Sequence, residues 1–247
     1  MKSLMSSLLS FRNGELVSDF AENVSGIGAL AEPVRRDLYL YVCGQPDPVG
    51  RDEAAEAVGI PLHKAKFHLD RLEAEGMLVT EFARLSGKTG PGAGRPSKLY
   101  RRADREIAVS LPGREYELAG RLMAEAIAES SATGVPAIEA LNRAAAERGR
   151  TIGAALLEES GAPRSKAAAL ELAGSALAAH GYEPHTVAKR IELANCPFHA
   201  LAHTHTDMVC GMNLALIDAL VETVDADRLT CHLEPREGRC CVVLENR

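Results

Sequence analysis

The spacing of apolar residues divides the chain into an N-terminal run of short elements and a C-terminal part built from longer helices. Arg35–Cys43 reads as a helix with Leu38, Tyr39 and Val42 on one face. Gly44–Pro48 breaks it, and Arg51–Val58 forms a second short helix carrying Ala54, Ala55 and Val58. Gly59-Ile60-Pro61 makes a tight turn. Pro61 suits the first turn of a third helix, where its missing N–H costs little. That helix is expected to run to about Glu75, with Ala65, Leu69 and Leu72 inward and Gly76 as its stop. Met77–Leu85 alternates as a strand, Ser86–Pro96 is a Gly/Pro/Ser-rich loop, and Lys98–Arg101 returns as a short strand. Three helices followed by a basic hairpin predict a winged helix-turn-helix over residues 31–105. Residues 12–31 show no strong period, so 1–30 is expected to be a flexible N-terminal extension.

Beyond a boundary near Ala103–Pro112 the pattern lengthens. Arg114–Ser130 places Leu118, Leu122, Met123, Ala126 and Ile127 on one stripe. Pro136–Glu159 and Ser165–His180 are further Ala-rich helices, punctuated by Gly134 and Gly161–Pro163. Thr186–Leu193 alternates as a strand, Cys210–Val221 is a helix, and Arg228–Leu233 and Arg239–Leu244 are two short strands. The fold class expected is α+β and mostly helical. It comprises the winged helix, central helices including a dimerisation helix, and a C-terminal α+β cysteine-bearing part, with 106–247 as a dimerisation and sensor domain.

Charge changes the picture of the N-terminal part. The chain of 247 residues carries a net charge of -6. Residues 61–105 nevertheless hold ten Lys/Arg against five Asp/Glu. Local basicity inside an acidic protein is the footprint of a confined anionic partner. In a helix-turn-helix the second helix of the motif enters the major groove of DNA, with its N-terminal residues at the base edges. Leu62, His63, Lys64 and Lys66 occupy that part of the third helix, and His68 and Arg71 are placed to grip phosphate. The hairpin tip adds Lys88, Arg95 and Lys98. The expected partner is a double-stranded DNA operator, read by a homodimer that the Arg114–Ser130 helix pairs.

The cysteines are equally uneven. Five of six lie in the last 52 residues, at Cys196, Cys210, Cys231, Cys240 and Cys241, together with His199, His203, His205 and His232. Thiolate and imidazole are the ligands that soft and borderline metals select. No apolar run approaches the roughly 20 residues that span a bilayer, and no cleavage site follows the short apolar start, so no membrane partner and a cytoplasmic location are expected. Thiols stay reduced there. Close zinc knuckles are absent. Cys196, Cys210 and Cys240 are instead spread over about 45 residues, which suits a site made by tertiary folding. His199 and His203 are candidate further ligands, and their spacing from Cys196 also suits zinc. Cys210, at the start of its helix, is placed for a thiolate. Of the 240–241 doublet, strand alternation lets only one face a common site, and Cys240 is the preferred member over Cys241.

The stretch Gly94-Arg95-Pro96-Ser97-Lys98-Leu99-Tyr100 resembles the wing of the ArsR-like winged-helix repressors. With the distal Asn195-Cys196-Pro197-Phe198, a cysteine 14 residues on and another 30 beyond, the chain resembles the Suf-operon repressor family. The resemblance implies a homodimeric repressor with an iron–sulfur cluster of the 4Fe–4S type on Cys196, Cys210 and Cys240, acting as a redox sensor that alters DNA affinity. Cys231 and Cys241 depart from that family's spacing. The alternatives are a zinc-responsive or small-ligand-responsive repressor. No P-loop, GxGxxG or partnered nucleophile is found, so the expectation is a regulator and not an enzyme.

Overall fold

A computed structural model of the protein describes residues 20–83 and 96–247. The architecture is α+β, mostly helical, with two small antiparallel sheets. The described residues fall into two compact units, one ending at Val109 and the other running Ser110–Arg247.

The first unit opens with α1 over residues 20–29, where the sequence led to a flexible extension. Its apolar Phe20, Val24 and Ile27 share a face but stay exposed, so no inward stripe marks the helix in the sequence. α2 (Pro33–Cys43) starts with Pro at its first turn and with the Glu32 carboxylate accepting from the Arg35 N–H at 2.6 Å. β1 (Val49–Gly50), α3 (Arg51–Val58) and α4 (Leu62–Ala74) follow. Gly59 ends α3 at φ 70°, a left-handed conformation that glycine adopts without steric cost, and Pro61 opens α4 two residues later. β2 (Leu78–Ala83) and β3 (Ser97–Arg102) complete a sheet of order β1-β3-β2. β1 was not foreseen: two residues, Val49 opposite Tyr100 and Gly50 opposite Leu99, are too few to show a period. The core gathers Leu38, Val42, Val49, Ala65, Leu69, Leu72, Leu78 and Tyr100.

The second unit contains α5 (Tyr116–Thr133), α6 (Ala137–Ser160) and α7 (Lys166–Ala179). They lead to a four-stranded sheet of order β4-β5-β7-β6. Its strands are β4 (Pro184–Val187), β5 (Arg190–Leu193), β6 (Leu229–Leu233) and β7 (Val242–Asn246). The stretch Thr186–Leu193, expected to be one strand, folds back on itself: Thr186 pairs with Ile191 across a turn at Ala188. Between β5 and β6 lie α8 (His199–Thr204) and α9 (Thr206–Asp225). α9 packs along α6 on one side and against the sheet on the other, so the residues of its first turns are fixed by both layers. No described helix is long and apolar enough to cross a membrane.

Candidate functional site

Two places collect chemistry-bearing side chains, one in each unit. In the first unit, the 3.6-residue period of α4 turns Ala65, His68, Leu69 and Leu72 inward. Leu62, His63, Lys64, Lys66, Phe67 and Arg71 stand exposed. His68, expected at a phosphate, is only 6% exposed, with Nδ1 3.6 Å from the Glu32 carboxylate. Burial holds its imidazole below the ordinary histidine range. Arg71 reaches Glu75 one turn along at 2.5 Å and remains half exposed.

Lys98, expected at the hairpin tip, lies in β3 and belongs to an ion network with α3 and α4. Its side chain is 19% exposed; Nζ lies 3.1 Å from Asp70 and also donates to Glu73. The Tyr100 hydroxyl donates to Asp70 at 2.6 Å, and Arg51 reaches both Asp70 and the Tyr100 oxygen at 2.8 Å. Burial alone would raise the Asp70 carboxyl; the donors Tyr100, Lys98 and Arg51 outweigh it and hold it at about 2. Burial and the charge of Asp70 push Tyr100 up to about 12. The network ties α3, α4 and β3 together and so fixes the tilt of α4 on the sheet. The sequence does not show it because its five residues come from three elements. Lys88 and Arg95 lie outside the described residues.

In the second unit, Cys196, Cys210, Cys240 and Cys241 meet. Cys196 lies in the loop after β5, where the Arg114 guanidinium donates to its carbonyl at 3.3 Å and to Asn195 Oδ1 at 2.5 Å. The Asn195 amide in turn donates to the carbonyls of Gly113 and Gly181, which pins this loop from two directions. Cys210 is not at a helix start, since α9 begins at Thr206 and places it in the second turn. The dipole advantage expected there is therefore lost, and burial pushes its thiol up. Cys240 and Cys241 lie in the bend just before β7, outside the pleat, so the alternation that would have parted them does not apply. Both are buried.

The thiols are joined in a series. Cys240 contacts Cys196 on one side and Cys241 on the other, and Cys241 contacts Cys210. Its two neighbours and burial raise Cys240, whereas the contact with it lowers Cys196 and Cys241. Behind it, Asn213 is 1% exposed on α9 and donates from Nδ2 to Cys240 Sγ at 3.3 Å, while its Oδ1 accepts from the buried Tyr182 hydroxyl. Asn213 and Tyr182 are functional-site residues that carried no sequence signal, being ordinary core-period positions.

The histidines are not drawn in. His199 and His203 are exposed on α8, and no contact joins either imidazole to the thiols among the described residues. Cys231 stands apart as well, donating to Asp218 Oδ1 at 3.3 Å, with burial raising it. Among the described residues, no group of three or more His, Cys, Asp or Glu side chains is arranged to hold a metal ion. In kind, the donor set is soft and sulfur-only; as packed, it is a line of thiols rather than a cage around one point. Comparison with protein-family models, curated proteins and solved structures finds no match to this chain.

Proposed function

We propose that the chain is a DNA-binding transcriptional regulator, a repressor that acts as a homodimer and senses through its four-thiol group. On this reading residues 31–105 form a winged helix-turn-helix, with α3 and α4 as the motif and the β2–β3 hairpin as the wing. One observation carries it: in a chain of net charge -6, the outward face of α4 presents Lys64 and Lys66 beside His63 and Arg71. Lysines there neutralise phosphates and release counterions, which supplies most of the affinity for duplex DNA. The Arg51–Asp70–Lys98–Tyr100 network supports the reading by holding that face rigid.

The cofactor we propose is an iron–sulfur cluster of the 4Fe–4S type, with Cys196, Cys210 and Cys240 as ligands and Cys241 as the fourth thiol at hand. What supports it is the sulfur-only donor set. Such a cluster takes each thiolate on its own iron, so the contacting sulfurs would have to spread apart to receive it. When bound, it would supply a redox-sensitive link between the β5–α8 loop, α9 and the pre-β7 bend. The chain's own part is to bury the sulfurs and to hold Cys240 through the Asn213 amide.

Fluorescence anisotropy against a random duplex pool at fixed salt, with iron and sulfide analysis after anaerobic reconstitution, tests both halves. Lys64→Ala is expected to weaken DNA binding without changing iron content. Cys196→Ser is expected to lose the iron while leaving the fold intact. An unmodified protein that takes up no iron under those conditions refutes the cofactor, and one that binds no duplex refutes the regulator.

A further inference from the structure

Near the centre of its outward face α4 carries a side chain that its basic neighbours do not explain. Over Leu62–Ala74 the inward set is Ala65, His68, Leu69 and Leu72. The direction opposite that set passes through His63, Phe67 and Ala74, so Phe67 stands near the centre of the outward face, 64% exposed. Its ring is braced edge-on against His68, centroids 5.2 Å apart, and His68 is itself buried in the unit's core. A scattered surface phenylalanine needs no explanation. This one has Lys64, Lys66 and Arg71 around it, and the Asp70 carboxylate one turn along is already engaged by Lys98, Arg51 and Tyr100, so a cover that is polyanionic and still offers an apolar spot fits the patch. The major groove of duplex DNA meets both demands, and its apolar group is the 5-methyl of thymine.

We propose that Phe67 reads the 5-methyl group of a thymine in the major groove and is a specificity-determining residue of the DNA site. The inference rests on α4 being the DNA-reading helix. Phe67 lies one turn beyond His63, so the thymine falls further along the groove than the base edges met by the first turn. The contact is apolar and adds little to the salt dependence, which the lysines set.

The test uses the full-length chain and duplexes enriched from a random pool by the unmodified protein. Each thymine is replaced in turn by uracil, which removes only the methyl, and affinities are measured by anisotropy for the unmodified protein, Phe67→Ala and Phe67→Leu. At one thymine per half-site, uracil is expected to weaken binding by the unmodified protein about fourfold, the worth of one buried methyl-sized group. Phe67→Ala, which removes the contact in both protomers, is expected to bind the thymine duplex about sixteenfold more weakly and to be indifferent to uracil there. Phe67→Leu should retain part of the discrimination. Circular dichroism should show the fold unchanged, since the ring is exposed. If uracil has the same effect in the unmodified protein and in Phe67→Ala at every position, the inference is overturned while the α4 reading stands. A change of oligomeric state in Phe67→Ala, with no change in uracil response, assigns the ring to a protein contact and also overturns it. Failure to enrich any duplex removes the α4 reading and the inference together.

Discussion

The seam between α6 and α9 supports the thiol group, and one glycine sets how close the two helices come. A Cβ built on Gly149 would lie 2.0 Å from the Leu216 carbonyl oxygen and 3.0 Å from the Leu220 nitrogen. Both are backbone atoms, so no side chain can swing aside, and Gly149→Ala must push the helices apart. Ile152, Leu156, Leu216 and Leu220 are buried in the core along this seam and would lose contact. Overpacking of this kind costs roughly 1–3 kcal/mol, and a clash this deep belongs at the upper end. Against it stands the gain from alanine in a helix interior, about 1 kcal/mol. The balance is a loss of about 2 kcal/mol, which lowers Tm by roughly 4–8 °C for a unit of this size. Gly120 on α5 is the control: a Cβ there meets nothing within 4 Å, so Gly120→Ala keeps only the helix gain and should raise Tm by about 2–4 °C. The chain lacks Trp, so far-UV circular dichroism of the full-length protein at matched pH and salt is the assay. Opposite signs for the two substitutions are the expected result. A Tm for Gly149→Ala at or above that of the unmodified protein would refute the close crossing.

Three further outcomes follow from the described contacts. Lys98→Ala should destabilise the first unit, read as faster hydrogen exchange across α4 and β3, because it leaves Asp70 and Glu73 without their shared cation. Lys64→Ala should leave exchange unchanged. The folded-state pKa of Asp70 lies below the ordinary 3.8, at about 2, so its contribution is present above pH 4 and lost as pH falls towards 2. With the side chain 37% exposed, screening reduces this to about 1 kcal/mol, and urea titrations at pH 5 and 2.5 on the protein and on Asp70→Asn should show the difference shrinking at the lower pH. Tyr182→Phe removes the donor to the buried Asn213 and should cost about 1–3 kcal/mol in the same titration; an unchanged midpoint would mean that the hydroxyl does not hold Asn213 in place.

What the sequence made legible is what local chemistry decides. α3 matches its expected bounds because Gly59 and Pro61 punctuate it, and α6 lies between Pro136 and Gly161. What it hid is where the deciding partner lies elsewhere in the chain. The β4–β5 turn carries Ala188 at φ 57° where a glycine or asparagine would have signalled it; the pairing of Thr186 with Ile191 specifies the turn instead. Lys98 looks like a free cation until Asp70 and Glu73 are brought beneath it by α4. The helical period places His68 among Ala65, Leu69 and Leu72, although its basic neighbours give it the look of the cationic face.

The thiol group shows the same division more sharply. Sequence clustering brought the distal cysteines to notice, but its rules for each position pointed the wrong way. Cys210 lacks the advantage of a helix start, which lies four residues earlier, at Thr206. Cys240 and Cys241 were separated by an alternation that begins only at Val242. With the bend before β7 free of the pleat, both sulfurs enter the same series of contacts, and Asn213, unremarkable in the sequence, becomes the amide that donates to Cys240. Cys241 thus brings a fourth sulfur to the group, while His199 and His203 stay in solvent on α8. A sulfur-only group recessed behind Asn213 and Tyr182 is held by the core of the second unit, so substitutions in that core, such as Gly149→Ala on α6, should reach the chemistry of the thiols without touching them.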